Sequence, residues 1–329
     1  MRFIIYGVGA IGGTVAAALA HSGQEVIGIA RGVQLAAIKA NGLRLRSPDT
    51  TLNVKIPCVA DPAEISFHPD DAVLMTMKTQ DTLGTLEKLR AAGVTSQPIF
   101  CVQNGVTNER LALRRFPEVH GVTVIMPASI TAPGEISAFS TPRYGIFDIG
   151  RYPHGTNTYD DELARALEAA NIVALVVSDV MQSKYGKLLF NLRNILEAAC
   201  GIDADYKHLG TLLQAEAEAV YRAAGITWQN PAEAKVRREH LMRFAAVTGI
   251  SPSGGSTTQS LARGAGSIET DYLNGEIVLL GRLHGIPVPA NTYFLDLSAR
   301  MIREKLKPGS ISIAQAEADL SAASVALAP

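Results

Sequence analysis

The chain has 329 residues, 47% hydrophobic and 19% charged, so it can bury a sizeable core and is not a disordered chain. That length is comfortable for two domains. Thirty Lys and Arg against 31 Asp and Glu give a net charge of −1, which argues against nucleic acid or an anionic membrane as the main partner but leaves room for a local phosphate site.

In chain order, residues 3–6 read as a strand, 14–21 as a helix ended by Gly23, and 25–30 as a second strand. Residues 72–77, 98–103 and 122–126 read as later buried strands. Strands alternating with helical patterns imply parallel pairing with crossover helices, hence an α/β, doubly wound Rossmann-type sheet. Residues 131–149 are rich in Gly, Pro, Ser and Thr and are expected to form antiparallel strands at the far edge of that sheet. A helix at about 161–170 and a strand at 172–177 close this part. From about Met181 the texture turns helical. One helix is expected over 181–200, ending before Gly201. Others follow near 212–224, 231–246, 260–284 and 292–305, with 251–256 a loop. The expected domains are 1–180, dinucleotide-binding, and 181–329, all-helical. No stretch has the ~18 uninterrupted apolar residues of a membrane span, and the run after Arg2 is too short for a secretory signal. Cys58, Cys101 and Cys200 are odd in number, far apart and without metal-ligand spacing. They are expected as reduced thiols of a cytoplasmic protein with no metal site.

The turn Gly7-Val8-Gly9-Ala10-Ile11-Gly12 follows the first strand at once and leads into a helix of small residues, the context a dinucleotide-binding motif requires. Gly7 permits the tight turn, Gly9 lets the backbone approach a pyrophosphate, and Gly12 lets helix pack on strand. The helix N-terminus at Ala10 and Ile11 faces the phosphates. A glycine-rich turn without a ligand is the alternative. The second strand ends Ala30-Arg31-Gly32. The acidic residue that takes the ribose hydroxyls of NAD is missing, and a guanidinium stands where a 2′-phosphate would lie, which favours NADPH/NADP. The alternative is a solvated Arg. Lys78 and Asn104 follow two further strands, where ligands bind beyond the carboxyl ends. Lys78 would add charge near the phosphates and Asn104 would hold the nicotinamide half, against ordinary loop polarity for each.

On the expected 181–200 helix, Lys187, Asn191 and Asn194 are spaced i, i+4 and i+7 and form one polar stripe, suited to a cleft wall between domains or to a solvent-facing side. Farther on stand Ile268-Glu269-Thr270-Asp271-Tyr272-Leu273-Asn274-Gly275 and Gly281-Arg282-Leu283-His284-Gly285-Ile286-Pro287-Val288-Pro289-Ala290-Asn291. With the glycine turn, Arg31, Lys78, Asn104-Gly105 and the Lys187 helix, these blocks resemble the ketopantoate reductase family over nearly the whole chain. The resemblance implies a 6-phosphogluconate dehydrogenase-like arrangement and NADPH-dependent reduction of a 2-oxo acid, by default 2-dehydropantoate. It makes Lys187 the catalytic general acid, Glu269 the carboxylate near the substrate, and Asn191 and Asn104 substrate contacts. A lysine beside a cofactor suits a carbonyl that gains negative charge. The chain departs from the family where a second helix asparagine is replaced by Ile195, with Asn194 just before it. A serine that contacts substrate has Ser256 or Thr257 as its counterpart, and a tryptophan becomes Tyr185. Another 2-oxo acid, or a non-catalytic NADPH sensor, remain the alternatives. His284, before Gly285, is expected to cap a helix rather than act as an acid. A homodimer and a monomer are equally readable.

Overall fold

The computed structural model describes residues 1–251, 254–264 and 266–326. It divides into two units: Met1–Lys184 with Ala232–Pro252, and Tyr185–Pro231 with Ser253–Pro329. The first unit begins β1 (Arg2–Tyr6), α1 (Ala10–His21), β2 (Val26–Ile29), α2 (Gly32–Asn41), β3 (Leu43–Arg46), β4 (Thr51–Val54) and β5 (Cys58–Val59). It continues β6 (Asp71–Met75), α3 (Thr82–Ala91), β7 (Ile99–Cys101), α4 (Asn108–Leu113) and β8 (Val119–Ile125). Then come β9 (Ala128–Ala132), β10 (Glu135–Ala138), β11 (Ser140–Thr141), β12 (Ile146–Arg151), α5 (Thr158–Ala169) and β13 (Val173–Val176).

Eight strands form one sheet in the order β13-β12-β8-β7-β6-β1-β2-β5. Its central strands are parallel, and β12 runs antiparallel to β8. The chain leaves β1 toward β2 and returns on the other side at β6, so the order reverses between β1 and β6. In open α/β sheets ligands bind beyond the carboxyl ends of the strands at such a point. Residues 131–149 do not all pair at the sheet's far edge, as the sequence suggests. Strands β9 and β10 join β3 and β4 in a second, four-stranded sheet, and only β12 enters the main one, inside the edge strand β13. The reason is α1. It is buried on all sides from Gly12 to Leu19 and is apolar all round, so it needs cover on the face the main sheet leaves open. The second sheet supplies it through Leu43, Leu45, Leu52 and Ile136, which share one core with Phe3, Ile5 and Val15. A Cβ on Gly13 would stand 1.8 Å from Ile136 Cδ1, so this glycine serves the packing of sheet on helix.

The second unit is helical. The helix expected over 181–200 is two: α6 (Val180–Asn191) and α7 (Asn194–Cys200), broken at Leu192 and Arg193. Then come α8 (Lys207–Ala223), α9 (Pro231–Leu241) and the short β14 (Arg243–Phe244), so the helix expected to run to 246 stops at 241. Residues 232–252 group with the first unit: β14 pairs with β11, Arg237 bonds Asp148 at 2.7 Å, and Met242 packs with Ile146 and Val173. The helix expected over 260–284 is also divided, into α10 (Ser256–Ala262), a 3-10 turn Glu269–Tyr272, and α11 (Asn274–His284). The helices α12 (Pro289–Arg303) and α13 (Ile313–Ala326) follow. Proline opens α12 where its missing N–H costs nothing. His284 ends α11 before Gly285, whose φ of 67° is left-handed, as expected of a capped terminus. No helix of the described residues is long and apolar enough to cross a membrane.

Candidate active site

The glycine turn sits at the β1/β6 switch point. Gly7 has φ +104°, and a Cβ there would come within 2.8 Å of Met77 N. At Gly12 a Cβ would strike Thr76 Oγ1 at 2.2 Å and Gly7 O at 2.3 Å, so α1 can lie this close to β1 and β6 only without one. Gly9 differs: a Cβ there would meet only Gly7 O, at 3.8 Å, leaving its approach face open. Gly9 caps α1 with no side chain, and the amides of Ala10, Ile11 and Gly12 belong to the first turn, which has no intrahelical acceptors. Thr76, which the sequence does not mark, fixes the turn by donating from Oγ1 to Gly7 O at 2.8 Å. The residues fit a pyrophosphate in shape and in donors.

Arg31 caps α2 at the end of β2 and is exposed. Nearby, Lys88 bonds Asp61, and this bond, helped less by Arg31, holds the Asp61 carboxyl below its usual range. The Asp61 carboxylate is thus already paired with Lys88.

Lys78 precedes the 3-10 turn Thr79–Asp81 after β6, and Asn104 lies in the turn after β7. A buried polar network joins the two turns. Gln103 Nε2 donates to Met77 O at 3.0 Å and to Thr82 Oγ1 at 2.9 Å, and Thr82 Oγ1 donates to Asn108 Oδ1 at 2.7 Å. Asn108 Nδ2 reaches Thr79 Oγ1 and Asn104 O at 3.2 and 3.1 Å. Asn104 is half-buried, and its carbonyl accepts from Thr79 Oγ1 at 3.4 Å as well as from Asn108. Gln103 belongs to the polar strand end that the sequence marks, whereas Thr82 and Asn108 carry no such mark, because their polarity resembles that of any loop.

In the second unit, Lys187 and Asn191 lie one turn apart on α6. Asn191 is buried and its Oδ1 has no hydrogen-bond partner. The break after Asn191 frees the carbonyl of Leu192, and Asn274 Nδ2 takes it at 3.3 Å. Asn274 also donates to Asn291 Oδ1 at 3.1 Å, and Asn291 Nδ2 donates to Glu216 Oε2 at 2.8 Å. Burial pushes the Glu216 carboxyl up, against the bonds from Asn291 and Ala290 that pull it down. This chain of bonds secures the Glu269–Asn274 block beside the end of α6. Glu269, 6% exposed, opens the 3-10 turn, and the adjacent Thr270 keeps a buried Oγ1 without a partner. Asn194 does not continue the Lys187 stripe. It opens α7 beyond the break and is half-buried, while Ile195 beside it is fully buried.

Ser256 opens α10 and Thr257 is buried on it. Glu197 of α7 receives Gly255 N at 2.5 Å and Thr258 Oγ1 at 2.7 Å, so α7 sets where this turn lies. The Gly, Arg31, Lys78 and Asn104 candidates all stand in the first unit. Lys187, Asn191, Asn194, Ser256, Thr257 and Glu269 all stand in the second. Among the described residues one group, His68, Asp70 and Asp71, has metal-like proximity, but Asp71 is taken by Arg2 at 2.7 and 2.8 Å.

Residues 3–154 match the family description ketopantoate reductase PanE/ApbA, and residues 179–301 match its C-terminal counterpart. A 2-dehydropantoate 2-reductase of Pyrococcus horikoshii is 27% identical over 319 residues, covering 94% of this chain and 100% of its own. The crystal structure of a PanE/ApbA family ketopantoate reductase from Ralstonia eutropha JMP134 superposes with a TM-score of 0.77 at 28% identity, over 93% of this chain and 99% of that one. A D-mandelate dehydrogenase solved with NADH and anilino(oxo)acetate shares the fold, with a TM-score of 0.77 at 20% identity over 93% and 99% of the two chains. With both halves matched and the glycine turn, the Lys187 helix and the Glu269 block in place, the chain belongs to the ketopantoate reductase family of oxidoreductases.

Proposed function

We propose that this enzyme reduces a 2-oxo acid to the 2-hydroxy acid with NADPH, and that 2-dehydropantoate is its substrate. The observation that carries the reading is that one chain, matched to this family in both halves, has an open dinucleotide turn at Gly7–Gly12 in its first unit and buries Asn191, Glu269 and Thr270 in its second.

A reduced nicotinamide, when bound, supplies the hydride. The amides of Ala10, Ile11 and Gly12 and the approach face of Gly9 take the pyrophosphate, Arg31 the 2′-phosphate, Lys78 adds charge, and Asn104 holds the nicotinamide half. Lys187 is the proton donor: negative charge develops on the carbonyl oxygen as its carbon is reduced, and an ammonium aimed there stabilises it and then protonates it. Glu269 orients Lys187 and accepts a hydrogen bond from a substrate hydroxyl. Asn191, with a free buried Oδ1, and the Ser256–Thr257 turn bind the remaining polar groups of the acid.

A different 2-oxo acid is the second reading, and one observation favours it. Where the family has a second helix asparagine, this chain buries Ile195 completely, which removes an amide from the substrate side. An acid without a polar group opposite this position leaves no hydrogen-bonding group unpaired there. NADPH oxidation followed with a panel of 2-oxo acids tests both readings. Turnover of 2-dehydropantoate above the others supports the first, and preference for a more apolar acid supports the second. The absence of turnover with any of them, in a protein that still binds NADPH, refutes both and leaves a sensor. Arg31→Ala should weaken NADPH about tenfold and NADH little, by loss of one charge-assisted pair.

A further inference from the structure

The carboxyl end of β7 holds a buried cation that the proposed chemistry does not use. The side chains of Lys184 and Glu109 are 2% and 0% exposed. The Lys184 ammonium donates to the Glu109 carboxylate, to Gln103 O at 3.1 Å and to Cys101 O at 3.3 Å. These three acceptors use all of its N–H donors. Taking an ion pair out of water gains little net stability, and an apolar pair of the same volume does as well. Stability alone therefore does not account for it.

Its geometric effect is plain. Cys101 and Gln103 carry the backbone straight into Asn104 and Gly105, and Gly105 turns with φ +79°. One side of this turn is held by Gln103 Nε2 on Met77 O and Thr82 Oγ1. The other side is held by Lys184. The room for this clamp comes from Gly121 of β8, where a Cβ would lie 2.9 Å from Val180 Cγ1 and 3.5 Å from both Glu109 Oε1 and Lys184 Cδ. The neighbouring Ser183 hydroxyl is fixed to Thr123 Oγ1 at 2.5 Å. The first turn of α6 is thus bolted to β8, and Lys184 projects from it under the Gln103-Asn104-Gly105 backbone.

We propose that Lys184, with Glu109, is a positioning residue that sets the Gln103-Asn104-Gly105 turn and through it the nicotinamide half of the bound cofactor. This rests on the reading that NADPH binds at these strand ends. The pyrophosphate and 2′-phosphate are taken by the glycine turn and Arg31, which Lys184 does not touch. Losing Lys184 is therefore felt by a ligand that carries the nicotinamide ring and not by one that ends at the ribose.

The test is calorimetric titration of wild type and Lys184→Met with NADPH and with 2′-phospho-ADP-ribose, which lacks the ring. The variant is expected to lose about tenfold in NADPH affinity while the fragment stays within about twofold. Its kcat should fall and its KM for NADPH rise. If the single variant does not fold, Lys184→Met/Glu109→Leu leaves no buried charge unpaired and is expected to show the same selective loss. Equal losses for both ligands, or no loss of NADPH affinity, in either folded variant overturns the proposal. A wild-type protein that binds neither ligand instead refutes the cofactor reading, and that outcome is visible before any substitution is made.

Discussion

Alanine at Gly12 and alanine at Gly9 are the same chemical change three residues apart, and the fold assigns them opposite consequences. At Gly12 the new methyl would overlap Thr76 Oγ1 at 2.2 Å and Gly7 O at 2.3 Å, with Ile5 Cγ2 at 3.1 Å. Thr76 can rotate only by giving up its bond to Gly7 O, and Gly7 O is backbone, pinned by Thr76 Oγ1 at 2.8 Å and Gly9 N at 2.6 Å. Overpacking costs about 1–3 kcal/mol where side chains yield, and a rigid backbone neighbour puts this case at the upper end, about 3 kcal/mol. For a unit of about 200 residues that lowers Tm by roughly 6–12 °C. At Gly9 the methyl meets only Gly7 O at 3.8 Å, an ordinary contact, so Tm should move by no more than about 2 °C. It fills the approach face instead, and NADPH affinity should fall at least about tenfold. Thermal melts with and without NADPH read both effects. Gly9→Ala binding NADPH like wild type, or melting as low as Gly12→Ala, would refute the division of roles.

The remaining predictions concern the buried groups. Asn274→Leu removes the donor to Leu192 O and to Asn291 Oδ1, both buried, and should cost about 2–4 kcal/mol in a denaturant titration. Turnover should fall with it, because the Glu269 turn loses its tie to the end of α6; full stability would mean the bond is idle. Burial pushes the Cys58 thiol from 9.0 up to about 11, so at pH 8 only about one native molecule in a thousand carries the thiolate. Mass mapping after iodoacetamide at pH 8 should find Cys58 unmodified in the native protein, and rapid native alkylation would contradict its placement. The folded thiol binds its proton more tightly than the unfolded one. Its contribution to stability is therefore present below pH 9 and is lost as pH rises through about 11, which melts across that window would show.

The sequence announces those parts of the enzyme whose reason is local. The spacing of the glycines in the Gly7–Gly12 turn and the strand before it are readable within ten residues, and so is the helix stop at Gly285, although Met77 and Thr76, which forbid a Cβ at Gly7 and Gly12, stand more than sixty residues on. The second sheet is not legible that way, because β3 and β10 meet across about ninety residues and the need for them arises from α1, an apolar helix with two faces to cover. Periodicity carried the Lys187 stripe through Leu192 and Arg193, where the backbone breaks and Asn274, eighty-two residues on, satisfies the freed carbonyl. Nothing in a window of α6 foretells that partner. Lys184 is not legible in the sequence for a related reason. Its acceptors are backbone carbonyls and Glu109, more than seventy-five residues away at the carbonyls and seventy-five at the carboxylate, so its role exists only in three dimensions.

The central claim is that hydride passes to a 2-oxo acid in a site where Lys187 provides the proton. Incubating the wild-type enzyme and Lys187→Ala with 2-dehydropantoate and NADPH deuterated at the transferring position, then weighing the product acid, tests it directly. The account predicts one deuterium in the wild-type product. It predicts a rate lower by at least about a hundredfold in Lys187→Ala, the usual scale of a lost general acid, with NADPH still bound. A wild-type product without deuterium, or a Lys187→Ala enzyme as fast as wild type, would contradict it.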